Sequence, residues 1–226
     1  MAAGRRWMCG ALALAALWAL APAALAAQVR VQVQVVSADG AVSDAVVSLH
    51  GGEPASARGA IARMEQRGSA FVPAVLPIQA GTLVDFPNRD RIQHHVYSFS
   101  RARPFEIPLY SGDSAPPIRF DTPGVVVVGC NIHDWMIGRI VVLDTPYFAL
   151  SSPAGDARLE VPAGTYRLRV WHARGTGEPV ERELVVPAAG ARISVRIALA
   201  PVRAGARGSS RLRTLQDRFR RLKGGP

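Results

Sequence analysis

The chain has 226 residues, 49% hydrophobic and 19% charged, which excludes a disordered polymer and leaves room for one or two packed domains. Two cysteines exclude a disulfide-dense scaffold, and the formal net charge of +10 gains meaning only when divided along the chain. Arg5 and Arg6 precede an apolar run from Ala11 to Leu25, broken by Pro22 and ending Ala24-Leu25-Ala26. A basic start, a short apolar run and a small-residue ending predict a cleavable export signal over residues 1–26, and hence a periplasmic protein. The run is shorter than the roughly 20 residues that a membrane span needs. Cleavage removes Cys9 and leaves Cys130 as the single thiol, which cannot form an internal disulfide. It also lowers the net charge to +8, of which residues 201–226 hold +7, eight basic residues against Asp217. Residues 27–200 are therefore almost neutral, and the basic character belongs to a tail rather than to a nucleic-acid-binding face.

The body reads as strand almost throughout. Val29, Val31, Val33 and Val35 alternate with Arg30, Gln32 and Gln34, the period of a half-buried strand. Ala45 to Leu49 follows the turn at Asp39-Gly40. Phe71 to Ile78 carries Pro73 and Pro77 and fits only an edge or an irregular crossing. Gly81 opens a strand through Phe86, and Val96 to Phe99 makes another. Pro104 to Pro117 is expected to be irregular. Val125 to Val128 is continuously apolar, as in a strand covered on both faces, and Ile140 to Leu143 follows Gly138. Beyond Pro146 the rhythm repeats through Leu159–Val161, Tyr166–Val170 and Ile193–Leu199. Short strands between Gly/Pro turns predict an all-β protein built as an antiparallel sandwich or barrel. The expected boundary lies near Pro146, separating a larger domain over 27–145 from a small β-domain over 146–200.

The segment Gly129-Cys130-Asn131-Ile132-His133-Asp134-Trp135-Met136-Ile137-Gly138 lies between two predicted strands. It gathers a thiol, an imidazole and a thioether as Cys-x2-His-x2-Met. One Cys sulfur and two His nitrogens with a weak axial Met make a copper set, whereas Met is a poor zinc ligand. The second imidazole must come from elsewhere, and His94-His95 supplies two candidates.

Cys-x2-His-x2-Met before a Gly-initiated strand resembles the copper loop of amicyanin-like members of the cupredoxin family. The wider run is similar to the amicyanin- and plastocyanin-like proteins labelled methylamine utilisation proteins. It includes Gly81-Thr82-Leu83-Val84-Asp85-Phe86-Pro87-Asn88-Arg89-Asp90, His94-His95-Val96-Tyr97-Ser98-Phe99 and Phe120-Asp121-Thr122-Pro123-Gly124. The resemblance covers about the first 145 residues. It implies a Greek-key β-sandwich holding one type 1 copper, an electron-transfer role, and Cys130, His133 and Met136 as thiolate, imidazole and axial thioether. The family's first imidazole opens His-Asn-Val, and here the string is His-His-Val. Aligning on Val96 makes His94 the ligand, with His95 its alternate in the place of an Asn that ordinarily tethers the two ligand loops. Strand alternation favours neither, because His95 would share a face with the apolar Tyr97 and Phe99. Asp134 stands where amicyanin-like loops carry Pro.

Leu159 to His172, with Val-Pro-Ala-Gly-x-Tyr-x-Leu-x-Val-Trp-His, resembles the carboxypeptidase regulatory-like (transthyretin-like) β-domains, which implies a structural or binding module. His50 and His172 read as ordinary surface or core histidines. No Ser/His/Asp order, paired-carboxylate pattern or phosphate-cradling glycine loop is expected from the spacing. In the tail, Leu212, Leu215, Phe219 and Leu222 stand among arginines at near-helical spacing, a basic amphipathic helix or a disordered segment. The export signal and the resemblance together predict an exported electron carrier rather than an enzyme. Its expected partners are a redox protein at His133, Trp135 and Ile137, and an acidic protein or anionic membrane surface at the tail. A copper-delivery protein without electron transfer is the alternative.

Overall fold

Period-two alternation gives a strand one apolar face, and that face must find a sheet to cover it. The computed structural model describes residues 27–51, 59–112 and 115–201, so the expected export signal over residues 1–26 and the basic tail beyond Pro201 lie outside the described residues. Strands β1 (Gln28–Ser37), β2 (Gly40–Ala41) and β3 (Val46–His50) come first. They are followed by β4 (Ile61–Arg63), β5 (Glu65–Gln66), β6 (Phe71–Val72), β7 (Val75–Gln79) and β8 (Thr82–Asp85). Next come β9 (His94–Ser98), β10 (Phe105–Tyr110), β11 (Ile118–Phe120), β12 (Gly124–Gly129) and β13 (Ile137–Leu143). The last are β14 (Phe148–Leu150), β15 (Asp156–Pro162), β16 (Gly164–Trp171), β17 (Val180–Val186) and β18 (Ala191–Arg196). Among the described residues all regular structure is β, as the sequence predicts.

Two sandwiches result. In one, the sheet β10-β9-β12-β13-β7 packs on β11-β8-β4 around a core that includes Phe86, Val96, Phe120, Val128 and Ile140. In the other, β15-β1-β18 packs on β14-β3-β16-β17 around Val31, Val33, Leu49, Leu168 and Val195. A third apolar cluster, with Val46, Val75, Val141 and Leu143 against Trp171 and Phe148, joins the two sandwiches face to face.

The pairing departs from the boundary expected at Pro146. Strand β1 pairs with β15 and β18, and β3 with β14 and β16, so residues 28–50 complete the sandwich built mainly from residues after 146. Alternation in β1 shows which face is buried but not which strands cover it. The other sandwich therefore runs from Ile61 to Leu143 alone.

Three further differences have local reasons. Phe105 to Tyr110, expected to be irregular, is strand β10, with its register broken between Ile107 and Tyr110, where Pro108 lies. The run Val125–Val128 is not covered on both faces, since Val127 is 43% exposed; the doubly buried strand is β13, whose Val141 and Leu143 reach the other sandwich. The sheets are also mixed, with β1–β18, β7–β13 and β4–β8 parallel. Pro77 does lie on an edge strand, β7.

Candidate metal centre

The loop that carries Cys130, His133 and Met136 is held at both ends by close packing. Gly129 pairs with Ile137 across β12–β13, and a Cβ on Gly129 would come within 3.1 Å of the Tyr97 ring. A Cβ on Gly138 would meet Phe71 and Val128 at 3.0–3.1 Å, so any larger residue would push the sheet apart at the loop base. Inside the loop, the Met136 N–H donates to His133 O at 2.9 Å and the Cys130 N–H to Met136 O at 3.3 Å. Cys130 and Met136 are 3% and 1% exposed and belong to the same core.

Strand β9 brings the second imidazole. It lies beside β12, a non-sequential neighbour with β10 and β11 intervening, and this closes the long sequence gap between His94 and Cys130. His94 is fully buried, and its Nδ1 lies 3.7 Å from Cys130 Sγ. His133 Nδ1 lies 3.9 Å from the same sulfur, and the two imidazole rings are 5.1 Å apart. The ligand atoms of His94, Cys130 and His133 all fall within 4.8 Å of one another. His95 points to the other side of β9, with Nε2 2.8 Å from Glu106 Oε1 and its ring against Tyr97. His50 and His172 lie away from this cluster, His50 against Ser48 and Asp144 and His172 accepting from the Arg174 N–H at 3.1 Å.

Reading the sequence missed Asp90. Its carboxylate accepts from His94 Nε2 at 2.8 Å, from the Gly68 N–H at 2.7 Å and from the Ser69 N–H at 2.9 Å. Gly68 and Ser69 have φ of 63° and 54°, the left-handed turn that aims both N–H groups at one anion. Burial pushes the Asp90 carboxyl up, but the hydrogen bonds from Ser69, His94 and Gly68 outweigh it and hold the group below its ordinary value. Asn88 was missed too. Its side chain donates to Ile92 O and Tyr110 O and accepts from the Asp90 N–H, fixing the loop that enters β9. The available signal was a polar Asn-x-Asp just ahead of the strand that carries His94. Beneath the site, burial raises Tyr110 to about 12 against the opposing hydrogen bond from Gln66, so it stays a neutral phenol.

The cluster has the dimensions of a metal site. Bonds of about 2.3 Å to sulfur and about 2.0 Å to nitrogen, opened by about 110–120°, separate sulfur from nitrogen by about 3.5–3.7 Å. The observed separations are 3.7 and 3.9 Å. One thiol and two imidazoles beside a thioether form a soft to borderline set, and among the described residues no carboxylate joins it. Asp90 orients the His94 ring from outside the cluster instead. Around the half-exposed His133, Ile132, Trp135 and Ile137 are exposed, Trp135 at 72%, with its ring 5.0 Å from the imidazole.

No protein-family profile matches this chain, and no curated protein matches it. Solved structures resemble part of it. A purple cupredoxin from Nitrosopumilus maritimus is 23% identical, with 36% of this chain and 99% of that one covered and a TM-score of 0.33. A copper-containing nitrite reductase from Thermus scotoductus is 29% identical over 40% of this chain and 25% of its own, with a TM-score of 0.35. A reduced amicyanin variant is 18% identical over 43% of this chain and 98% of its own, with a TM-score of 0.35.

Proposed function

We propose that this chain is an exported type 1 copper protein that carries single electrons between protein partners. One observation carries the reading: His94 and His133 each turn Nδ1 toward the buried Cys130 sulfur, at 3.7 and 3.9 Å, with Met136 buried in the same core. Copper, when bound, would be held by Cys130, His94 and His133, with Met136 as a further weak donor, and would supply a one-electron couple.

The chain's own residues do the rest. Asp90 and the β9 backbone fix the His94 ring, and the hydrogen-bonded loop fixes Cys130 against His133, so the donor atoms are held in place. The core that covers Cys130 and Met136 keeps bulk water from the sulfur. The His133 ring is the route outward, and the apolar rim of Ile132, Trp135 and Ile137 suits a transient protein contact. Burial of His94, Cys130 and Met136 argues for retaining the metal over handing it on. Export rests on the N-terminal sequence, and attraction to an acidic protein or anionic surface rests on the charge of the tail.

Voltammetry of the copper-loaded mature protein, paired with a chelator challenge, tests this reading. The expected result is a reversible one-electron wave with copper lost slowly to the chelator. Rapid loss of copper without a reversible wave would make the chain a copper-delivery protein.

A further inference from the structure

The two sandwiches enclose between them a cavity of about 280 Å³, distant in the fold from the Cys130 loop. Val46, Val125, Leu143 and Trp171 form apolar walls, and Ser48, His50 and Asp144 bring a hydrogen-bonded chain to it. His50 Nδ1 lies 2.7 Å from Asp144 Oδ1, and His50 Nε2 lies 2.9 Å from Ser48 Oγ. A carboxylate only accepts, so Nδ1 carries a proton. In the neutral imidazole Nε2 then offers its lone pair, and the Ser48 hydroxyl donates to it. Carboxylate to Nδ1 and hydroxyl to Nε2 is the order that activates a serine.

The parts come from three places. Ser48 and His50 are two residues apart on β3 and so share a face, while Asp144 follows the end of β13 on the other sandwich. Arg169 is the cross-strand partner of Ser48 on β16 and lines the same cavity; its Nε lies 3.3 Å from Glu181 Oε1. Ser48 is buried, whereas the Asp144 side chain is 60% exposed, which places the nucleophile at the inner end of the cavity and the carboxylate at its mouth. A purely mechanical tie between the sandwiches needs the His50–Asp144 pair but neither the hydroxyl nor the space beside it.

We propose that Ser48 is a nucleophilic serine and that the cavity takes a small ester with an apolar acyl group. Ser48 Oγ attacks the acyl carbonyl carbon as His50 Nε2 takes the hydroxyl proton, and Arg169 is the cation available to the developing oxyanion. The bond to the leaving alkoxide breaks, the alkoxide takes that proton from His50, and Ser48 is left acylated. Water, deprotonated by His50, then releases the carboxylic acid and restores the hydroxyl.

The test exposes the full-length mature protein to a fluorophosphonate probe and maps the adduct by mass spectrometry, with p-nitrophenyl acetate turnover measured in parallel. The expected adduct lies on Ser48, and its formation slows about 100-fold or more in His50→Gln. Cys130→Ser, which removes the proposed copper thiolate, should label as the wild type does. Mapping the wild type needs no variant, so a Ser48→Ala protein that fails to fold would not blunt the result. Absence of the adduct from Ser48, or equal labelling in His50→Gln, overturns the proposal. A lowered melting temperature in His50→Gln without a Ser48 adduct in the wild type would leave only the mechanical tie.

Discussion

Asp90 Oδ2 lies 2.8 Å from Nε2 of His94, the ring nitrogen that faces away from Cys130. Because the carboxylate only accepts, Nε2 keeps the proton and Nδ1 presents its lone pair toward the sulfur. Asp90→Ala should therefore weaken Cu(II) binding roughly 10–100-fold in chelator competition. Asp90→Asn should lose less, since an amide oxygen can still accept from Nε2. Wild-type affinity in both variants would show that the pair does not influence the donor atom.

The two adjacent histidines should behave differently. His94→Ala removes an imidazole 3.7 Å from Cys130 Sγ and should cost the copper site its visible spectrum. His95→Ala removes a ring bonded to Glu106 and should leave the spectrum nearly unchanged. Absorption spectra of the two copper-loaded variants decide this, and the reverse pattern would make His95 the ligand.

Met136 should tune rather than hold the metal. Met136→Leu conserves volume in a packed core and should cost less than about 1.5 kcal/mol of stability in denaturant melts. The visible band should survive and the reduction potential should rise, because a lost weak donor disfavours Cu(II). Complete loss of copper would make Met136 a primary ligand.

Stability should carry a signature of His172, on the other sandwich. Burial, aided by Arg174 and Arg139 and opposed by Asp44 and a Ser43 backbone hydrogen bond, holds this imidazole below its usual 6.5. The unfolded chain thus takes up the proton first as pH falls. Stability should drop as pH falls through 6.5 and level off once the folded imidazole is protonated as well. His172→Gln should flatten that part of the curve in denaturant melts at pH 5 to 8, and an identical curve would refute the assignment.

Legibility followed distance along the chain. Cys130, His133 and Met136 stand within one loop, so their spacing alone suggested them as donors. His94 needed the resemblance, because apolar neighbours misdirect the alternation argument: Phe99 is 87% exposed, while Val96 and Ser98 share the buried face with His94. Strand β1 was legible as a half-buried strand, yet its partners β15 and β18 lie more than a hundred residues away and no local pattern names them. Ser48, His50 and Asp144 meet only because two sandwiches pack together, which hid their order from any reading of spacing. Asp90 was hidden for a related reason, since its anion is held by backbone N–H groups of a turn that side-chain patterns do not describe.

The visible absorption spectrum of the mature protein after addition of Cu(II) tests the central claim most directly. A buried thiolate bound to Cu(II) beside two imidazoles should give an intense sulfur-to-copper charge-transfer band at one copper per chain. Cys130→Ser should abolish that band while the far-ultraviolet circular dichroism of the β-fold is retained. A correctly processed, copper-treated wild type that stays colourless would contradict the account.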